Sequence, residues 1–586
     1  MEIGKTYEGN KVPKVTKYLY PAGTIARDAA YTLVSLFFLT YIQFAAPLGY
    51  VSSLGDTRSE GVYTAQMLVI SIIMIFCRIW DGFNDPIMAR IIEKCHFKTG
   101  KYKPWILIGG LTNSVVLFLM FYLQPAGWWY VLAFLAFYLL RDMTFTMNDI
   151  GYRSMLPSLS SDAKERNTLT TLVSIGASIG GFAAGGIIPL LVAGNAKEMY
   201  ALVAGIIAIL FAITQTILYF FVREKKRDAL QETVSEDTKF TDMFRILKTN
   251  SQVRVTVITM LIYYLASAIL NAFGLNYFYF TYGYEQGGNI QFYFTVAYAL
   301  GSIIAQISFP FLIKKFTRGQ LFRFTFIGIV IGYFLFFFYD LPFNDAMLSL
   351  YKGNRLGTIG DIVVMCFIGA VIFSMQGLFY LVLLIMMTNS IEYNERKDEE
   401  RRESLIFAFR PLDAKISSAL QTGILYLGLL LGGLYAISNK INNIELERGN
   451  AMGAFAVNQI VDATFASSNN IAIGTTVGNL GNDQLTAYAQ WLAEQAISGI
   501  EPRQFIVMKL FMTVIPMILV IVAFILIKKK YFIDEKVYNQ MVLEIDARRA
   551  NGDKEVATIP GDIALHNVLI EHKSKEAVCK PTKEVN

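Results

Sequence analysis

About twelve apolar runs, each roughly 20 residues or longer and divided from the next by a charged or polar block, constrain this chain more than any other feature. Inside lipid every backbone amide has to be satisfied within its own segment, so runs of this length fold as membrane-crossing helices. They lie near residues 28–49, 65–90, 105–124, 128–155, 169–193 and 200–222, and then near 253–280, 290–315, 320–340, 360–390, 404–437 and 504–527. Composition agrees: 54% of the residues are hydrophobic, too many for a soluble chain of this length to cover, and the 17% that are charged gather between the runs.

The charged blocks also orient the helices, because Lys and Arg in short loops are retained on the cytoplasmic side. One set of alternate loops carries Lys94, Lys98, Lys101 and Lys103, then Lys164 and Arg166, then Arg223, Lys225, Lys226 and Arg227, then Lys314, Lys315 and Arg318, then Arg396, Lys397, Arg401 and Arg402. The other set is nearly free of them, with Arg58 and Lys197. The first set and both termini are therefore expected inside, in a multi-pass protein of the plasma membrane. The net charge of +6 follows from this topology and calls for no nucleic-acid partner. Cys77, Cys95, Cys366 and Cys579 show no CxxC spacing, which argues against a disulfide framework and a metal site. The first 27 residues contain Lys5, Lys11, Lys14, Lys17 and Arg27 without an apolar core, so the first span is read as the insertion signal.

Six runs, a polar linker and six more runs make two halves of similar size. This is the layout of an all-α membrane carrier with two rocking bundles and a binding site at the midplane between them. The expected organisation is a cytoplasmic N-terminus over 1–27, an N-terminal six-helix bundle over 28–222, a cytoplasmic linker with a short helix over 223–252, a C-terminal six-helix bundle over 253–527 and a cytoplasmic tail over 528–586. Residues 438–503, rich in Asn, Gly, Ala and Ser, form an extracellular insertion in the second bundle, read as an expansion of a tolerant surface loop. Past Lys528, Lys529 and Lys530, the stretch YFIDEKVYNQMVLEIDARRA reads as an amphipathic helix lying on the cytoplasmic face.

Ionisable groups are costly inside a span, so each one marks a functional candidate. On the second span, CRIWDGFNDPIMAR places Asp81 and Asp85 one turn apart on one face, with Arg78 three residues before, Asn84 beside them and Pro86 freeing carbonyls just after. Two such carboxylates repel unless something positive neutralises them, and the candidates are Arg78, a proton or a metal cation. A structural ion pair would hold one carboxylate and leave the second, which favours coupling-ion binding.

On the fourth span, LLRDMTFTMNDIGYRSMLP brings Arg141, Asp142, Asp149 and Arg153 into or near the apolar run, with Thr146 on the face of Asp149. If the second and fourth spans pack together, Asp81, Asn84, Asp85, Thr146 and Asp149 offer an all-oxygen set suited to Na⁺ or a proton and not to a transition metal. Asp28, preceded by Arg27 at the start of the first span, is either an acceptor for substrate hydroxyls or an interfacial charge that reaches water. On the eleventh span, FAFRPLDAKISSAL holds Arg410, Asp413 and Lys415. The first two can pair locally; Lys415 has no obvious partner nearby in sequence and can reach the acidic cluster of the other half.

The stretches RIWDGFNDPIMARIIEKCHFKTGKYKPWILIGG, NDIGYRSMLPSLSSDAKERN, ASIGGF and SLIFAFRPLDAKISSAL resemble the glycoside, pentoside and hexuronide to cation symporters, a group of the major facilitator superfamily that includes melibiose permease. The resemblance runs from about residue 15 to 437 and resumes in the last span and its tail. It implies the major facilitator fold, twelve transmembrane helices in two six-helix bundles. It also implies Asp81, Asn84, Asp85 and Thr146 as cation ligands or near ligands, Asp28 and Asp149 as the acids that hold sugar hydroxyls, and Lys415 as a lysine linking the halves to the site. Two positions depart from melibiose permease: Arg153 stands where it has a tryptophan and Ser174 where it has an arginine. Melibiose is therefore not the implied sugar, and Arg153 either recognises a carboxylated sugar such as a hexuronide or sits at the inner mouth with no specific role.

The expected function is secondary active symport of a saccharide, with Na⁺ or H⁺ as the coupling ion at Asp81 and Asp85, Arg78 and Lys415 in coupling, no cofactor, and a monomer as the working unit. A sodium-coupled carrier of an amphipathic solute such as a lysolipid and a non-transporting nutrient sensor are the other readings. An enzyme has no support: His96, His566 and His572 lie in loops or tail, and the chain has no GxxxxGK[ST], no HExxH and no nucleophile elbow.

Overall fold

Among the described residues, the computed structural model of the protein has twelve helices long and apolar enough to cross a bilayer. The structure describes residues 12–51, 58–95, 97, 99–160, 163–192, 195–222, 240–342, 346–347, 357–398, 403–449 and 459–551. Most of the expected linker (223–239), part of the insertion (450–458) and the tail beyond 551 lie outside them. The spans are, in order, Lys14–Ala45, Glu60–Ile92, Lys103–Tyr122, Trp128–Leu156, Glu165–Val192, Ala196–Phe221, Ser251–Tyr282, Gln286–Lys315, Arg318–Phe338, Ile359–Lys397, Leu405–Leu431 and Pro502–Lys530. A short helix, Phe240–Thr249, precedes the seventh span.

The largest departure from the sequence reading is the first span, which starts at Lys14 and not near residue 28, so Asp28 sits in mid-helix. Its polar segment is helical because its polar groups have partners. Arg27 is 4% exposed and meets carboxylates, while Tyr20 and Tyr152 stack with ring centres 4.3 Å apart and each donates its hydroxyl to the other's backbone carbonyl. The same helix leans on the fifth span through glycines. A Cβ on Gly180 would stand 2.1 Å from the Ile25 carbonyl oxygen, and one on Gly176 would stand 2.4 Å from Thr24 Oγ1. In lipid, where apolar burial does not drive helices together, such backbone-to-backbone approach supplies the attraction.

The two halves meet along two seams, the second span against the eleventh and the fifth against the eighth. These seams exchange when each span is matched with its counterpart six places on, as internal repeats require. At the end of the bundle that carries the insertion, the seams close. Helix Leu434–Gly449, which follows the eleventh span, reaches over the N-terminal half. There Gln43 Nε2 donates to Ser438 Oγ at 2.7 Å, Arg58 Nη2 to Asn442 Oδ1 at 2.5 Å, and Asn442 Nδ2 to the Ala46 carbonyl at 2.9 Å. Glu445 Oε2 accepts the Ala196 amide at 2.9 Å, so an acid from one half caps the positive N-terminus of a span in the other.

Glu445→Ala removes a bond to a charged group, which contributes about 1.5–3 kcal/mol. Amide hydrogen exchange across 434–449 should accelerate by at least about tenfold, with the other spans unchanged. An unchanged rate would show that this cap does not hold the seal.

The described part of the insertion has a small apolar cluster of its own. Helices Ala463–Ser468 and Asn482–Ser498 enclose Val461, Phe465, Val477, Leu480 and Tyr488, and Glu494 accepts the Tyr284 amide at 2.9 Å beside the start of the eighth span. Its few apolar residues come together from distant positions, which local composition conceals. The expected amphipathic helix after the twelfth span is Glu535–Asn551. Val537 and Met541 pack with Tyr393 and Phe532, Glu544 pairs with Arg396 at 2.5 Å, and Glu535 accepts the Arg318 amide at 2.6 Å. The protein itself covers the apolar face of this helix.

Candidate cation and substrate site

The second span places Asp81 and Asp85 on one face, and the fourth span brings Thr146 against them: its hydroxyl lies 3.2 Å from Asp81 Oδ1 and 3.3 Å from Asp85 Oδ1. The positive charge comes from the other half. Lys415 Nζ lies 3.0 Å from Asp81 Oδ2, bonds to Asp85 Oδ2, and donates to the Asp81 carbonyl at 3.0 Å. The two carboxylates, the hydroxyl and the ammonium thus form one compact set across the seam. Among the described residues no group of three or more His, Cys, Asp or Glu is placed to hold a metal ion. The oxygens that could take a small hard cation are those of Asp81, Asp85 and Thr146, and in this conformation the ammonium engages both acids.

Arg78 makes no ion pair with either acid among the described residues. It is buried, and its guanidinium lies 5.9 Å from the Tyr138 ring centre. Helical spacing brings Arg78 near Asp81 along the chain, but side chains three residues apart need not turn to the same neighbour. Asn84 is buried with its Nδ2 lacking a hydrogen-bond partner, and it is not bonded to the acids. Asp142, also buried, pairs with Arg141 at 2.9 Å.

Asp28 and Asp149 are joined by a residue the sequence reading had noted only as a neighbour. Arg27 lies 2.8 Å from Asp28 Oδ2 and 3.4 Å from Asp149 Oδ1, over the Tyr152 ring at 4.5 Å. Asp149 also takes Arg153 at 2.8 Å, and the Arg153 side chain is 72% exposed. The two acids therefore have free lone pairs for hydroxyl donors while their charge is already balanced, which suits a neutral polyol better than a cationic ligand. The burial of Arg27 between two acids could have been suspected from the Arg27–Asp28 pair inside a chain that continues apolar. Arg410 and Asp413, whose spacing would allow a local pair, are not paired here: Arg410 Nη2 donates to the Tyr380 hydroxyl.

The chain belongs to the MFS/sugar transport protein family, whose model matches residues 23–452. It is 26% identical over 441 residues to a lactose permease of Lactobacillus delbrueckii subsp. bulgaricus, a match covering 72% of this chain and 64% of that protein. It is 26% identical over 435 residues to the raffinose carrier protein of Pediococcus pentosaceus, covering 71% and 62%. It is 22% identical over 446 residues to the isoprimeverose transporter of Lactiplantibacillus pentosus, covering 75% and 85%. The chain thus spans less than two thirds of the length of the first two relatives. Its twelve helices long enough to cross a bilayer make it a multi-pass membrane protein of that family.

Proposed function

We propose that the protein carries a saccharide across the plasma membrane by alternating access, coupled to Na⁺ or H⁺. The observation that carries this reading is the placement of Lys415. It joins the acids of one half to the other half, in a chain whose Asp28 and Asp149 share Arg27 and whose halves are bonded together at the insertion end. A carrier needs such a link, because cation or sugar binding has to change how the halves hold each other. By the distribution of Lys and Arg, the insertion end faces outward and both termini lie inside, so this conformation is closed to the outside. The names of the relatives support a sugar as cargo, and the balanced acids at Asp28 and Asp149 support a neutral or carboxylated one, with Arg153 the residue that would meet a carboxylate. A monomer contains every group this cycle uses.

Uptake into proteoliposomes tests the reading. Radiolabelled lactose, raffinose, isoprimeverose and a glucuronide are offered with an inward Na⁺ gradient, an interior-alkaline pH gradient, or neither. At least one sugar is expected to accumulate above its external concentration under one of the gradients. No sugar moving under any condition would overturn the assignment, and equal uptake of glucuronide and neutral sugars would remove the role of Arg153.

A further inference from the structure

The second half contains a buried acid that the site above does not use. Asp413 lies near the start of the eleventh span, is 3% exposed, and has an Oδ2 that meets no hydrogen-bond donor. Ser417, one turn further, donates to the Leu261 carbonyl at 3.0 Å, so this face of the helix abuts the seventh span. Lys415, two residues away, points to the opposite side and is engaged by Asp81 and Asp85. The seventh span also carries two tyrosines with partners of their own. Tyr263 gives its hydroxyl to the Gln376 carbonyl at 2.6 Å, and Tyr264 lies 3.3 Å from the hydroxyl of Tyr380. Among the described residues Asp413 forms no ion pair.

Arg410 is one turn before Asp413 on the same helix, the spacing at which the two side chains can meet. In this conformation it is held elsewhere. Its Nη2 donates to the Tyr380 hydroxyl, its guanidinium lies 5.8 Å from the Tyr380 ring centre, and its Nε is buried without a partner. An unpartnered carboxylate and an arginine with an unused donor therefore sit within a turn of each other, kept apart by a phenol. A buried carboxyl with no counter-charge is far cheaper neutral than ionised.

We propose that Asp413 is a proton-binding site of the C-terminal half, and that Arg410 alternates between Tyr380 and Asp413 as the protein changes the side to which it opens. With Arg410 on Tyr380, Asp413 holds a proton on its carboxyl. When Arg410 turns to Asp413, the O–H bond breaks, the proton passes to water on the side then open, and the carboxylate left behind pairs with the guanidinium, which stays charged throughout. One proton moves per cycle. This assigns H⁺ as a coupling ion and rests on the reading of the chain as a sugar carrier.

Full-length protein in proteoliposomes tests this with lactose and raffinose, using equilibrium exchange and accumulation under an interior-alkaline pH gradient. Asp413→Asn fixes the neutral form. It is expected to lower pH-driven accumulation at least tenfold while exchange changes less than about threefold. Tyr380→Phe releases Arg410 toward Asp413 and favours the carboxylate. The proton concentration giving half-maximal accumulation should then rise at least tenfold, a shift to lower pH, and this readout holds even if Asp413→Asn does not reach the membrane. Wild-type accumulation by Asp413→Asn, or an unmoved pH profile in Tyr380→Phe, overturns the inference. Accumulation driven by Na⁺ alone in the wild type does so too and leaves the carrier reading intact, whereas absence of exchange of either sugar in the wild type removes the carrier reading itself.

Discussion

Lys415→Ala is expected to lower gradient-driven sugar accumulation at least a hundredfold. The ammonium is 3.0 Å from Asp81 Oδ2 and bonded to Asp85, and its removal leaves two acids one turn apart with only the Thr146 hydroxyl between them. Removing one partner of a buried ion set costs about 3–5 kcal/mol, or roughly two to three powers of ten in an equilibrium. Asp85 is 34% exposed, so the lower end of that range applies. A free cation is expected to substitute in part. The thermal midpoint of Lys415→Ala in detergent should therefore rise more steeply than that of the wild type when NaCl replaces choline chloride. Accumulation at the wild-type level, or an identical salt response, would show that Lys415 is a bystander at the seam.

The second large effect is structural. Gly180→Val would put a Cβ where the Ile25 carbonyl oxygen is only 2.1 Å away, and backbone on both sides has to move to admit it. Overpacking in a close-packed interior typically costs about 1–3 kcal/mol, and a clash with backbone lies at the top of that range or beyond it. Far less folded, monodisperse protein should be recovered in detergent, and its thermal midpoint should fall. Gly181→Ala is the control, because its Cβ meets Thr32 Oγ1 at an ordinary 3.5 Å. Equal recovery of the two variants would mean that the first and fifth spans are not in backbone contact.

The spans were legible because a run of apolar residues is a local property and lipid allows it few structures. Their ends were less so. Lys14, Lys17 and Arg27 make residues 14–27 look like a loop, although Arg27 is buried among acids that the chain supplies 1 and 122 residues further on, at Asp28 and Asp149. The candidate acids could be picked out for the same local reason, since charge is rare in a span. Their partners could not. Spacing nominates Arg78 for Asp81 and Arg410 for Asp413, whereas the side chains follow packing: Arg78 turns to Tyr138 and Arg410 to Tyr380. The reach of Lys415 across more than three hundred residues depends on how the two halves dock, which no periodicity encodes.

An ammonium on a protein side chain behaves as a competitor that cannot diffuse away. While the eleventh span stays against the second, Lys415 is present at Asp81 and Asp85 at an effective concentration of about millimolar or higher, as for any short tether. A dissolved cation seeking those oxygens has to outcompete it, so its apparent affinity is weakened by that ratio. For the proposed coupling cation, separation of the spans would withdraw the competitor and leave the same oxygens free to bind it more tightly. Its binding strength at this seam would then follow the distance between two helices, with no change in the ligands themselves.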